Sequence, residues 1–168
     1  AKALAIREKE LGPDHPELLL ALQNFALTYL AMNDSGKAIP LLIREVVIRE
    51  KVGGPNHPDL AIDLDNLADG YSELGQFDLA LKQQLRALSI REKALGLEHP
   101  DTALSLNSLA ITYNHLAQHE KALALETQAL AIREKVLGPE HIQTMFSLSN
   151  LALTYSELAL YDKAIPIH

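Results

Sequence analysis

Ile48-Arg49-Glu50-Lys51 is one of four copies of a single tetrapeptide. The others are Ile6-Arg7-Glu8-Lys9, Ile90-Arg91-Glu92-Lys93 and Ile132-Arg133-Glu134-Lys135, and the spacing is 42 residues each time. The text around the copies repeats as well: an Ala-Leu run before three of the four, then after each a Gly and a His. A strict period in the range of ~20–50 residues marks a repeat array, in which each unit buries its apolar face only against its neighbours. The 168 residues equal four such periods, so the chain reads as one continuous array over 1–168, with its first and last second-helices incomplete. It opens in repeat text with no initiator Met, as expected of an excised portion of a longer protein.

Each unit reads as two helices. Gly12 stops the first segment, as Gly does just past a helix end. After Pro13-Asp14-His15, Pro16 opens a helix over 16–32, because proline fits the first helical position. Leu19, Leu22, Ala26, Leu27, Tyr29 and Leu30 fall on it at helical spacing. Asn33-Asp34-Ser35 interrupts the pattern, with Ser35 the expected N-cap. A second helix follows over about 36–52, with Pro40 in its first two turns, where the lost donor matters least. The pattern repeats as helices 58–74 and 78–95, 100–116 and 120–137, then 142–158 and a last helix from Leu160-Tyr161. No strand pattern and no Pro- or Ser-rich linker interrupts it. Ala26, Ala68, Ala110 and Ala152 recur on the first helices, and Ala38, Ala80, Ala122 and Ala164 on the second. Small residues at matched positions let paired helices approach to the ~8–10 Å of close packing. Tyr29, Tyr71, Tyr113 and Tyr155 fill the space beside that contact.

Composition narrows the function classes. Hydrophobic residues make up 48% of the chain and aromatic residues only 5%, so small aliphatic side chains must form the core. There is no Cys, which excludes disulfides, thiolate metal sites and thiol nucleophiles. No apolar run approaches the ~18 residues of a membrane span, and no signal peptide opens the chain; a cytoplasmic setting is expected. Acids outnumber bases 22 to 15, and the bases are scattered, which disfavours nucleic acid as a partner.

Sequences with the text Leu104-Ser105-Leu106-Asn107-Ser108-Leu109-Ala110-Ile111-Thr112-Tyr113, then Glu120-Lys121-Ala122-Leu123, then Ala129-Leu130-Ala131-Ile132-Arg133-Glu134-Lys135-Val136-Leu137-Gly138-Pro139-Glu140-His141, are familiar. The chain resembles the tetratricopeptide repeat, in the 42-residue variety of the kinesin light chain family. The resemblance covers the whole chain. It implies an all-α fold, a right-handed superhelical solenoid of antiparallel helix pairs, whose first helices line a groove that holds peptide segments of partners. Two departures stand out. The turn within each pair, where the family prefers Gly and an aromatic, has Asn33 and Ser35 in one unit and Ala117 and His119 in another. The family's paired Asn is incomplete: Gln23-Asn24, Asp65-Asn66, Asn107-Ser108 and Ser149-Asn150. These departures oppose a ligand read identically by every unit.

Candidate chemistry is sparse. His15, His57, His99 and His141 lie one repeat apart, roughly 10 Å on the scale of packed helices, whereas zinc ligands must converge to ~2 Å from one ion. They read as helix-start residues, and no metal or cofactor is expected. His119-Glu120 begins like the zinc-protease motif, but Leu123 stands where its second His belongs. No phosphate loop and no triad is visible, so the chain reads as a non-enzyme. The recurring Arg of the tetrapeptide, near each second-helix end, suits the helix dipole, in a solvated or an inter-repeat role.

The first helices carry the functional expectation. They contain no Lys or Arg, and acids concentrate on the second of them. Asp65, Asp69 and Glu73 follow i, i+4 spacing and form a stripe; by the resemblance it faces the groove beside Asn66 and Ser72. Asn24, Asn66, Asn107 and Asn150 are candidates to bond a peptide main chain there, or else to bond neighbouring helices. Such a groove cannot clamp a C-terminal carboxylate and disfavours acidic peptides; a partner with basic and apolar residues fits. The sequence thus predicts a protein-binding scaffold. The alternatives are a structural array that stacks head to tail by open heterologous contacts, and a sensor arm of a larger signalling protein.

Overall fold

The computed structural model describes residues 2–165, with nothing said of the side chains of residues 2, 3 and 5. Among them every element is helical: α1 (Lys2–Leu11), α2 (Leu19–Ala31) preceded by a 3₁₀ turn (Pro16–Leu18), α3 (Ser35–Gly53), α4 (Leu60–Glu73), α5 (Phe77–Leu95), α6 (Pro100–His115), α7 (His119–Leu137), α8 (Ile142–Glu157) and α9 (Tyr161–Ala164). The α-helices α3 to α8 fall within two residues of the expected bounds, whereas the helix expected from Pro16 begins as a 3₁₀ turn and becomes α-helical only at Leu19. The chain divides inside α5 into two compact units, Ala1–Ile90 and Arg91–His168.

Turn chemistry sets the helix ends. Nδ1 of His15, His57, His99 and His141 accepts a hydrogen bond from the backbone N–H two residues on, at 3.3, 3.2, 3.1 and 3.2 Å. Each imidazole thereby satisfies a backbone donor that the helix start leaves open. That is the helix-start role expected of them. Ser35 departs from expectation. The N-cap of α3 is Asp34, which makes no side-chain cap bond, and Ser35 is the first helical residue. Its hydroxyl is drawn to the neighbouring helix instead and donates to the Glu73 carboxylate. Within the pairs, the turn residue sits in the left-handed region: Asn33 at φ 55°, Gly75 at 69°, Ala117 at 54° and Ala159 at 57°. Gly takes that region freely, whereas a Cβ makes it strained.

The first unit packs Ala26 and Ala38 into one cluster with Leu42, Leu60, Leu64 and Leu67, flanked by Tyr29 and Tyr71. A second cluster joins Leu4, Leu18, Leu22 and Ile48. In the second unit Ala103, Ala110, Ala122, Ala129 and Ala152 have no exposed surface. The recurring Ala thus occupy the buried seams. Three of the recurring Tyr carry a cation over the ring: Lys37 on Tyr29, Lys121 on Tyr113 and Lys163 on Tyr155, at 5.2–5.6 Å.

In three of the four copies the tetrapeptide Arg takes the inter-repeat role; Arg7 is exposed. Arg49 of α3 donates to both oxygens of Asp63 on α4, at 2.7 and 3.3 Å. Arg91 bonds Ser105 on α6. Arg133 bonds the Gln143 carbonyl at 3.1 Å and Ser147 on α8 at 2.5 Å. Arg91 and Arg133 are buried, at 8% and 3% exposure, so they link a second helix to the first helix that follows and are not solvated ends.

Candidate functional site

Several basic residues are paired among the second helices and the loops. Arg44 pairs with Glu8 at 2.7 Å and Arg86 with Glu50. Lys51 pairs with Asp14, and Lys135 with Glu98 at 2.6 Å. On α4, Asp65, Asn66 and Ser72 are half-buried, and Asp69 and Glu73 are exposed. Asp69 reaches solvent, yet its carboxyl is crowded by the surrounding helices. That desolvation, then the charges of Asp65 and Glu73, pushes it up to about 6. Glu73 has a second task, since it holds the Ser35 hydroxyl.

The remaining candidates are dispersed. Asn24 is exposed on α2 and lines a small cavity of about 350 Å³ with Leu4, Arg7 and Phe25. Asn107 is buried at 7% exposure, and its Oδ1 makes no hydrogen bond. Asn150 is half-buried on α8 and borders the larger cavity of the second unit. Five of the eight candidates share α4, whereas Asn24, Asn107 and Asn150 stand on three other helices.

That larger cavity, about 460 Å³, lies among α6, α7 and α8. Ile111, Asn114, His115, His119 and Glu126 border it from α6 and α7; Asn150, Leu153 and Glu157 border it from α8. Glu126 is only 1% exposed. Its Oε1 accepts from Thr154 Oγ1 at 2.9 Å and from Asn114 Nδ2 at 3.4 Å. Asn114 Nδ2 also donates to Thr154 Oγ1 at 2.6 Å. His119 Nδ1 lies 3.0 Å from Asn114 Oδ1, an acceptor, so this contact requires the proton on Nδ1. Glu126 Oε2 makes no hydrogen bond. Burial pushes the Glu126 carboxyl up, only partly offset by the bonds from Thr154 and Asn114.

The sequence held a signal for this cluster. Glu126 occupies the repeat position of Leu42 and Gln84, and Asn114 that of Leu30, Ser72 and Ser156. A carboxyl at a position filled by leucine in another unit marks a polar interior.

A helix pair closed by alanines, repeated at 42 residues and capped by His, defines a class. The tetratricopeptide repeat signature matches residues 1–46, 36–93 and 66–135, and the chain belongs to that family. Proteins of this fold commonly serve as protein-interaction scaffolds. Within the family the likeness is to kinesin light chain-type arrays. Two structures of such a protein from Podosopora anserina, with nearly identical TPR-like repeats, are 30% identical to it, with TM-scores of 0.88 and 0.86. They match 99% of this chain and 78% and 79% of their own. BtubC (BKLC) from P. vanneervenii shares the fold at 22% identity and a TM-score of 0.86, over 99% of this chain and 66% of its own. The expected all-α solenoid class is the class of these structures. No curated protein matches the chain. Among the described residues, no helix is long and apolar enough to cross a membrane.

Proposed function

We propose that the chain is a non-catalytic, cytoplasmic scaffold that holds a basic and apolar segment of a partner protein against its first helices. One observation carries this reading: four first helices without Lys or Arg, one of which crowds Asp65, Asp69 and Glu73 until Asp69 rises to about 6. Like charges on one helix stripe oppose each other, and a partner cation relieves that opposition. Asn66 and Ser72 flank the stripe and supply main-chain bonding groups.

The test is a titration with labelled basic and acidic peptide pools at low and moderate salt. The basic pool binds more tightly, and Asp65→Lys with Asp69→Lys weakens the preference. Binding also tightens between pH 5 and 7, because Asp69 becomes a full anion across that range. A preference for the acidic pool, or indifference to the double substitution, overturns the reading.

A further inference from the structure

The hydrogen-bond inventory of the second unit's cavity is lopsided. Both Nδ2 hydrogens of Asn114 are in use, on Thr154 and Glu126. The Thr154 hydroxyl hydrogen is in use on Glu126, and the Nδ1 hydrogen of His119 on Asn114. What is left over is acceptor capacity: Glu126 Oε2, buried and without a hydrogen bond, in a residue that borders the cavity. A buried acceptor of this kind carries the desolvation penalty of an unmade bond. Asn150 and Glu157 border the same cavity and contribute further acceptor oxygens, while Ile111 and Leu153 give it apolar wall, at 44% and 59% exposure.

We infer that this cavity receives a lysine side chain of the partner segment, its methylene stem on Ile111 and Leu153 and its ammonium on Glu126 Oε2. The assignment deepens the scaffold reading and rests on it. The ligand must present a donor to Glu126 Oε2, because the donors nearest that carboxyl, on Asn114 and Thr154, are spent on its other oxygen and on each other. An apolar stem suits it, because Ile111 and Leu153 line the same cavity as Glu126. A lysine head carries three donors and no acceptor, and it meets three acceptor-bearing residues here, Glu126, Asn150 and Glu157. An arginine fork needs two parallel acceptors, and Glu126 offers one oxygen because Oε1 is already bonded. No Lys or Arg stands on α6 or α8, and on α7 Lys121 is held by Gln118 and the Tyr113 ring, Arg133 by Gln143 and Ser147, and Lys135 by Glu98.

The test uses capped heptapeptide pools with the central residue fixed as Lys, Arg, norleucine or Glu and the flanks randomised. They are passed over the immobilised full chain carrying Asp65→Lys and Asp69→Lys, which removes the α4 acids. The Lys pool is retained at least tenfold over the norleucine and Glu pools, and Glu126→Gln removes that margin while circular dichroism stays unchanged. If Glu126→Gln perturbs the fold, Leu153→Ala decides, because Leu153 is exposed; it weakens Lys retention at least threefold. Norleucine retained as well as Lys, or retention untouched by these variants, overturns the inference and leaves the scaffold reading standing. Arg retained as well as Lys overturns the lysine assignment. Retention of no pool overturns the inference, and the scaffold reading then stands or falls by the peptide titration of the unsubstituted chain.

Discussion

Glu45→Gln should stabilise this protein at neutral pH, although it removes a charged residue. Glu45 is fully buried on α3. Burial, then the nearby charge of Asp63, pushes its carboxyl from 4.5 up to about 8, against a smaller opposing pull from Arg49. At pH 7 the folded chain therefore holds Glu45 protonated, while the unfolded chain ionises it. The uptake of that proton opposes folding by about 1.4 kcal/mol per pH unit above 4.5, or about 3 kcal/mol at pH 7. The sign follows from the raised value: the opposing contribution is absent below pH 4.5 and grows until pH 8. Glutamine keeps the shape and takes up no proton. One amide hydrogen left without an acceptor returns about 1 kcal/mol. The net expectation is a gain of roughly 1–2 kcal/mol at pH 7, near zero at pH 5, and larger at pH 8. Urea unfolding at those three pH values, read by circular dichroism, measures it; the midpoint should rise by roughly 1 M at pH 7. Parallel pH profiles for the two proteins would refute the reasoning, as would a less stable variant at pH 8.

Other substitutions probe neighbouring features. Asp69→Asn removes a carboxylate held up to about 6 by its surroundings. Because Asp69 is exposed and screened, the gain at pH 7 should be about 0.5–1 kcal/mol, vanishing below pH 4; a loss at pH 7 contradicts the crowding. Ala117→Gly relieves a left-handed residue at φ 54° and should raise stability by about 1 kcal/mol, read as a urea midpoint; no change means the turn carries no strain. His99→Ala deletes the cap on Asp101 N and should lower stability by about 1 kcal/mol, whereas His99→Asp, a good cap, should stay within about 0.5 kcal/mol of the parent. Equal losses for both variants would show that His99 acts by packing and not as a cap.

The α4 acids and the α7 carboxyl differ in how far the sequence reveals them. Asp65, Asp69 and Glu73 lie on one helix, so i, i+4 spacing alone places them in a stripe. Glu126, Asn114 and Thr154 come from three helices, and only packing brings them within hydrogen-bond distance. Asn107 shows the converse. Its position on a first helix suggested a groove residue, yet the packing around α6 buries it.

The period of 42 residues, the recurring Ala and Tyr, the His caps and the Gly stops determined the helix pairs, because each acts over a few residues or one repeat. The four Ile-Arg-Glu-Lys copies set that period, but the partner of each Arg depended on tertiary structure. Position 63 holds Asp where 105 and 147 hold Ser, and position 45 holds Glu where 87 and 129 hold Ala. The sequence displays both departures, but that they meet as a buried carboxyl pair under Arg49 follows only from α3 packing on α4. Proton affinity and unmet hydrogen-bonding capacity depend on burial and on contacts between helices. For that reason the tertiary structure decided which polar side chains hold the array together and which remain for a partner.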